Sequence, residues 1–204
     1  MTTRAEVRGA VRLRLEDTGA APLWDDAALN EALAGEVRAY GARFPREAAT
    51  ELAVAAGATR VPIAGIEPGR IVRVVDPAGV AVPRALDDAG DGGDGTSGTV
   101  GQAWRWWGGE LVLARPAAAG TWRVEHLVAR AVPTDDAAAL DVVAGDEEVL
   151  VAMAAATALR RRATADAKRG MRPAGLDALA AALRLEAARL IAARQRRARG
   201  AWLG

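Results

Sequence analysis

Residues 146–168 read DEEVLVAMAAATALRRRATADAK, and this stretch decides what the remainder of the fold has to supply. Positions 149–159 form an eleven-residue run that is apolar except for Thr157. A surface helix shows a single apolar stripe, whereas an unbroken run predicts a helix buried on several faces. The run is too short to cross a bilayer. Its alanines permit the close approach of a partner helix that ridge-and-groove packing requires. Asp146, Glu147 and Glu148 precede Arg160, Arg161 and Arg162, the order that complements the helix dipole. A helix of this kind needs partners, and the flanking sequence provides them.

Beyond it, residues 170–175 contain Gly170, Pro173 and Gly175 and predict a turn. The last helix carries Leu176, Leu179, Leu183, Ala187, Leu190 and Arg194 at spacings of three and four. It runs into a basic segment, Arg194, Arg196, Arg197 and Arg199, and ends on Trp202-Leu203. At the other end of the chain, Val7, Val11 and Leu15 mark a first helix that Asp17-Thr18-Gly19 closes. Leu29, Leu33, Val37, Tyr40 and Phe44 mark a second helix, with Asp25 as N-cap, Trp24 as a staple before it and Pro45 as its stop.

The period changes between residues 50 and 133. Residues 71–75 and 80–82 flank Asp76-Pro77-Ala78-Gly79, a strong turn signal. Residues 104–107, 110–115 and 121–130 form a second set of strands, divided by Gly108-Gly109 and by 116–120. The expected fold class is α+β. N- and C-terminal helices, 1–49 and 134–204, form a helical bundle with a C-terminal arm. An antiparallel β-sheet or small sandwich, 50–133, is inserted between them. Within it, 87–101 holds four Asp and six Gly and is expected to be a flexible, solvated loop. Its Asp spacing fits neither an EF-hand nor a Gly-Asp nonapeptide, so no metal site is expected there.

Composition narrows the function classes. Of the residues behind the 51% hydrophobic figure, 51 are Ala, so close helix contacts must replace some large-side-chain burial. With no Cys, a disulfide framework, a zinc-thiolate site and a Cys nucleophile are excluded. Four arginines, Arg4, Arg8, Arg12 and Arg14, interrupt any N-terminal signal core, which predicts a soluble, intracellular protein without a membrane partner. Charge is polarised. Residues 159–204 hold twelve Lys or Arg against Asp166, Asp177 and Glu186, about +9, while the preceding residues net about −8. Such asymmetry points to a polyanion or an acidic protein neighbour, or to a solvated helical face.

Catalytic chemistry is poorly provided for. His126 is the only His and Ser97 the only Ser, and Ser97 falls in the Asp/Gly loop. A Ser-His-Asp triad would need the two to meet, so no catalytic residue, cofactor or metal is expected. The pairs Asp25-Asp26, Asp135-Asp136 and Glu147-Glu148 read as helix-start acids that cap or complement the dipole. Trp104-Arg105-Trp106-Trp107 mixes aromatic and basic residues, a pattern that can stack on single-stranded bases. In a strand, however, Trp104 and Trp106 share one face, which favours a core or interface role and leaves Trp107 as the exposed ring.

The layout resembles the head-to-tail adaptor (connector) proteins of tailed bacteriophages. Leu23-Trp24-Asp25-Asp26-Ala27-Ala28-Leu29-Asn30-Glu31-Ala32-Leu33 looks like that family's start, an aromatic and an acid before a Leu-rich helix. Leu111-Val112-Leu113-Ala114-Arg115-Pro116 and then 122–133 look like its two strands, the second ending in Pro. The Ala-rich helix over 149–159, a basic linker and a last helix complete the order. The chain departs from the family in having His126 at a position more familiar as aromatic, and in its Asp/Gly loop.

The resemblance implies a non-enzymatic virion structural protein of the phage neck, at the head-tail interface. It would form a closed homo-oligomeric ring, about twelve copies in this family, with head-to-tail interfaces. The ring would sit between the portal protein and the tail or a second neck-ring protein, extending the DNA channel without sequence-specific binding. Arg194, Arg196, Arg197, Arg199, Trp202 and Leu203 would then form the portal-binding arm, a type of element ordered on assembly in the family. The competing expectation is a nucleic-acid-binding regulatory protein that uses the basic C-terminal helices, although no groove-reading motif is present.

Overall fold

The computed structural model describes residues 2–85, 101–172 and 175–201, without the side chains of Pro68 and 196–201. The expected Asp/Gly loop 87–101 lies, apart from Gly101, outside the described residues. The fold is α+β, with four α-helices and two antiparallel sheets among the described residues. Met1–Pro45 and Ala129–Gly204 make one compact unit and Arg46–Val128 another.

In the helical unit, α1 spans Arg4–Arg14 and opens on a capping box. The Thr3 hydroxyl accepts from the Glu6 amide at 3.2 Å, and the Glu6 carboxylate accepts from the Thr3 amide at 2.7 Å. Val7 and Val11 point into the core. At the far end, buried Asp17 takes the Arg12 guanidinium at 2.8 Å and the Leu23 amide at 2.6 Å. Arg12 also reaches Asp26 at 2.6 Å, so one arginine and two carboxylates join the end of α1 to the start of the next helix. That helix, α2, spans Asp26–Arg43. Asp25 caps it by accepting from the Ala28 amide at 2.6 Å, and Leu29, Leu33, Val37 and Tyr40 are buried along the stripe the spacing predicts.

Helix α3, Glu147–Lys168, packs against α1, α2 and the last helix, α4, Leu176–Ala201. Three neighbours explain why Leu150 and the run Ala154, Ala155, Ala156 have no exposure at all. On α4 the buried line is Ala180, Leu183, Ala187 and Ile191 rather than the expected one through Leu179, which is half exposed. The small side chains of Ala180 and Ala187 sit against an Ala-rich partner, where a leucine would hold the helices apart.

The acids Asp135 and Asp136 do not start a helix. Asp135 closes a local turn by accepting from the Ala137 amide at 2.9 Å. Asp136 takes Arg8 through two bonds of 2.8 Å and Arg4 Nε at 2.8 Å, pinning the 134–139 segment to α1. Backbone bonds from Arg4 and Ala5 to Ala138 and Asp136 add to the pin, leaving no room for helical geometry.

The β unit begins at Arg46, four residues before the expected boundary, because β1, Arg46–Val54, pairs along its whole length with β7, Gly120–Val128. β2, Arg60–Pro62, was likewise not signalled by the sequence pattern. β3, Ile71–Val75, and β4, Ala81–Val82, form the hairpin set by the Asp76 turn. There the Asp76 carboxylate accepts from the Ala78 and Val80 amides at 2.9 and 2.8 Å. β5, Trp104–Trp107, and β6, Glu110–Leu113, are joined by Gly108 and Gly109 at φ 61° and 86°, the paired positive values of a type I′ turn. The sheet orders are β1-β7-β3-β4 and β2-β6-β5, and both sheets feed one core built around Trp104, Trp122, Leu111, Val74 and Val124.

Two outcomes test this account. Ala155→Leu overpacks α3 and is expected to cost about 1–3 kcal/mol in urea unfolding; an unchanged midpoint would contradict the three-sided packing. The hydrogen bonds from Arg8 and then Arg4 hold the Asp136 carboxyl at about 2, below its ordinary 3.8. A carboxyl depressed in the folded state stabilises fully above its unfolded value. This contribution therefore fades as pH falls from about 4 through about 2. An NMR titration of Asp136 should give a midpoint near the lower value, and one near 4 would show that the pin is not formed.

Candidate interaction surface

Arg194 adds a polar anchor to the buried line of α4. Its guanidinium pairs with the Asp146 carboxylate, donates to the Tyr40 hydroxyl at 2.7 Å and lies 4.5 Å from the centre of the Phe44 ring. The Tyr40 hydroxyl in turn donates to Asp146, and the Tyr40 and Phe44 rings tilt against each other with centroids 5.2 Å apart. Below them runs Arg130, with its side chain 7% exposed. Its Nε donates to the Phe44 carbonyl at 2.6 Å, its Nη1 to Asp141 at 3.0 Å, and its guanidinium faces the Tyr40 ring at 5.3 Å. Gly41 makes this passage possible, since a Cβ there would stand 3.1 Å from the Arg130 Cβ and 3.3 Å from its backbone nitrogen.

The consequence is a polar knot linking the C-terminal end of α2, the start of α3 and the last third of α4. Asp146 was expected to act as a helix-start acid; it occupies the N-cap position but makes no side-chain capping bond. Its carboxylate is committed to Tyr40 and Arg194 instead. Burial raises the Tyr40 hydroxyl above its ordinary value, the bond to Asp146 raises it further, and Arg194 opposes both. The phenol therefore stays protonated and remains a donor to Asp146.

Of the expected arm residues, then, Arg194 is engaged within the helical unit. Arg196, Arg197 and Arg199 fall on α4, but their side chains lie outside the described residues, as do Trp202 and Leu203 entirely. Upstream, Arg160, Arg161, Lys168, Arg169, Arg172, Arg184 and Arg189 are all exposed on or beside α3 and α4. Among the described side chains of this basic third, the exceptions are Arg194 and the half-buried Arg162, which pairs with Asp166 at 3.0 Å.

The aromatic strand divides by face. Trp104 is 2% exposed and its Nε1 donates to the Val82 carbonyl at 3.1 Å. Trp106 packs against the same core, with a buried Nε1 that has no partner among the described residues. Trp107 is 61% exposed on the opposite face, with the Arg105 guanidinium 5.9 Å from its ring centre. One exposed ring beside one arginine is a contact point rather than a run of stacking platforms.

His126 sits on β7 between Ala48 of β1 and Ile71 of β3, and its Nε2 lies 2.9 Å from the Thr50 hydroxyl. Arg73, paired twice with Glu125 at 2.8 and 3.0 Å, and Arg123 help line a hollow of about 450 Å³ beside it. Those bonds hold the Glu125 carboxyl below its ordinary value. Ser97 lies outside the described residues. Among the described residues, no group of three His, Cys, Asp or Glu side chains is placed to hold a metal ion. No described helix is long and apolar enough to cross a membrane.

No protein-family model matches the chain, and no curated protein matches it in sequence. Its surfaces therefore have to be interpreted from their own chemistry.

The knot was not legible in the sequence. Tyr40 reads as one more member of an apolar stripe, Asp146 as an acid that complements the helix dipole and Arg194 as the first residue of a basic run. The available signal was that Tyr40, alone in its stripe, carries a hydroxyl that burial obliges to find a partner. Removing Arg194 as Arg194→Ala should cost about 2 kcal/mol, below the ~3–5 for a fully buried pair because Arg194 stays a quarter exposed. Tyr40→Phe should cost about 1 kcal/mol. Denaturant unfolding of both variants checks this, and an Arg194→Ala midpoint equal to the parent's would show that the knot contributes nothing.

Proposed function

We propose that the chain is a structural head-to-tail adaptor of a tailed phage. In this reading its four helices act as a bundle with the β unit as an inserted domain. The subunit joins a closed ring that seats on the portal protein, meets the tail or a second neck ring, and extends the DNA channel. It performs no bond-making step, and its place is the virion neck.

The observation that carries the proposal is the change of character along α4. Up to Arg194 the helix is committed to its own unit through Ala180, Leu183, Ala187, Ile191 and the Asp146 pair. The sequence that follows is rich in arginine and ends on Trp202-Leu203. A segment with cationic side chains and an apolar tip suits an acidic protein surface with a hydrophobic socket. Charge polarity between the last third and the rest of the chain also suits head-to-tail contact between like subunits. The order of elements quoted above as resembling the adaptor family supports the same conclusion.

The exposed arginines of α3 and α4 favour a second reading, a nucleic-acid-binding regulatory protein. That reading requires tight, steeply salt-dependent gel shifts with naked DNA or RNA.

Because Arg194 is part of the fold, the arm is best tested by deleting residues 196–204 and keeping the knot. The truncated protein should melt like the parent and lose binding in a pull-down against a candidate portal protein. Portal binding that survives the deletion would remove the arm from the account.

A further inference from the structure

Thr157, Arg160, Arg161 and Thr164 of α3 and Arg184 of α4 line an open depression of about 340 Å³. The lining brings three guanidinium groups and two hydroxyls together and includes no carboxylate. Two acids of α2 contact the lining residues. Glu36, 8% exposed, accepts from the Thr157 hydroxyl at 2.6 Å, and Arg184 donates to that same hydroxyl at 3.2 Å. The Arg184 guanidinium lies 4.0 Å from Glu36 as well. On the other side Arg161 donates to Glu31 at 3.0 Å. Two of the three arginines are thereby held by partners on α2 and α3, each keeping further N–H groups beyond these bonds. The Arg160 guanidinium has no hydrogen bond or ion pair among the described residues. Lys168, one helical turn beyond Thr164, is exposed and extends the positive field.

We infer that this depression is a binding site for a phosphate group. Glu31 and Glu36 offset part of the charge of Arg161 and Arg184, and Arg160 adds a cation with no ion pair among the described residues. An anion in the depression is attracted to all three. The planar guanidinium fork matches pairs of phosphate oxygens, and a tetrahedral anion presents enough oxygens to engage three forks together. A carboxylate, with two oxygens in one plane, satisfies fewer. Anchoring Arg184 through buried Glu36 and Thr157 fixes the donor before the ligand arrives, which lowers the ordering cost of binding. The depression is open, so the phosphate can be free or part of a phosphodiester backbone. The inference rests on this depression alone, and portal binding bears on it in neither direction.

The full chain is titrated with inorganic phosphate by calorimetry and, separately, with a short DNA duplex by fluorescence anisotropy across a salt series. The variants are Arg160→Gln, which breaks no internal bond, and Arg184→Gln, whose folding is checked by circular dichroism. Saturable binding is expected in at least one arm, weakened about tenfold by Arg160→Gln. In the duplex arm, each arginine removed should also flatten the logarithmic salt slope by about 1. Binding to phosphate alone identifies a free anion as the source, and binding to the duplex alone identifies nucleic acid. No saturable binding in either arm overturns the inference, as does binding indifferent to Arg160→Gln. Polyglutamate held as tightly as the phosphate ligands, with the same dependence on Arg160, also overturns it by assigning the site to carboxylates.

Discussion

The close approach that alanine allows around α3 is the constraint on which the helical unit depends. Leu150, Ala154, Ala155 and Ala156 are fully covered because three other helices share one central helix. Large side chains there would separate the neighbours and lose dispersion contacts on every side, since protein interiors tolerate little misfit. The Ala-rich composition is therefore a packing solution rather than a deficit of core. The β unit solves the same problem differently, filling a single core from two small sheets with Trp104 and Trp122.

Ionic contacts then fix what apolar packing leaves free to slide. Arg12 with Asp17 and Asp26 joins the end of α1 to the start of α2, Arg4 and Arg8 with Asp136 hold the returning chain, and Arg194 with Asp146 and Tyr40 fixes α4. The first spans the turn between consecutive helices, and the other two join a helix to a segment distant in sequence. Directional bonds of this kind select one register among those that smooth alanine surfaces would permit. The same chemistry continues outward, where Glu31 and Glu36 hold arginines of α3 and α4.

Elements governed by local chemistry could be read from the sequence. The Asp25 cap, the Asp76 turn and the Gly108-Gly109 turn are encoded within a few residues, and the helix and strand beside each follow. β1 was missed because Arg46–Val54, reading REAATELAV, holds good helix formers, and its extended form is set by pairing with β7 more than sixty positions away. The buried stripe of α4 was misplaced by one position at Leu179 because leucine outweighs alanine in any apolar pattern, while contact with α3 favours the smaller residue. The knot around Tyr40 and the anchored arginines of α3 and α4 join residues from three helices, and no short window contains them. Exposure of Trp107 opposite Trp104, by contrast, follows from the alternation of a strand and was legible.

Under the proposed function, the protein acts by being assembled, through the arginine-rich sequence that follows Arg194, and not by transforming a substrate. The most direct measurement is electron microscopy of the purified protein mixed with a candidate portal protein. The account predicts closed rings seated coaxially on the portal. Portal particles that remain bare, with the protein dispersed as single copies around them, would contradict it.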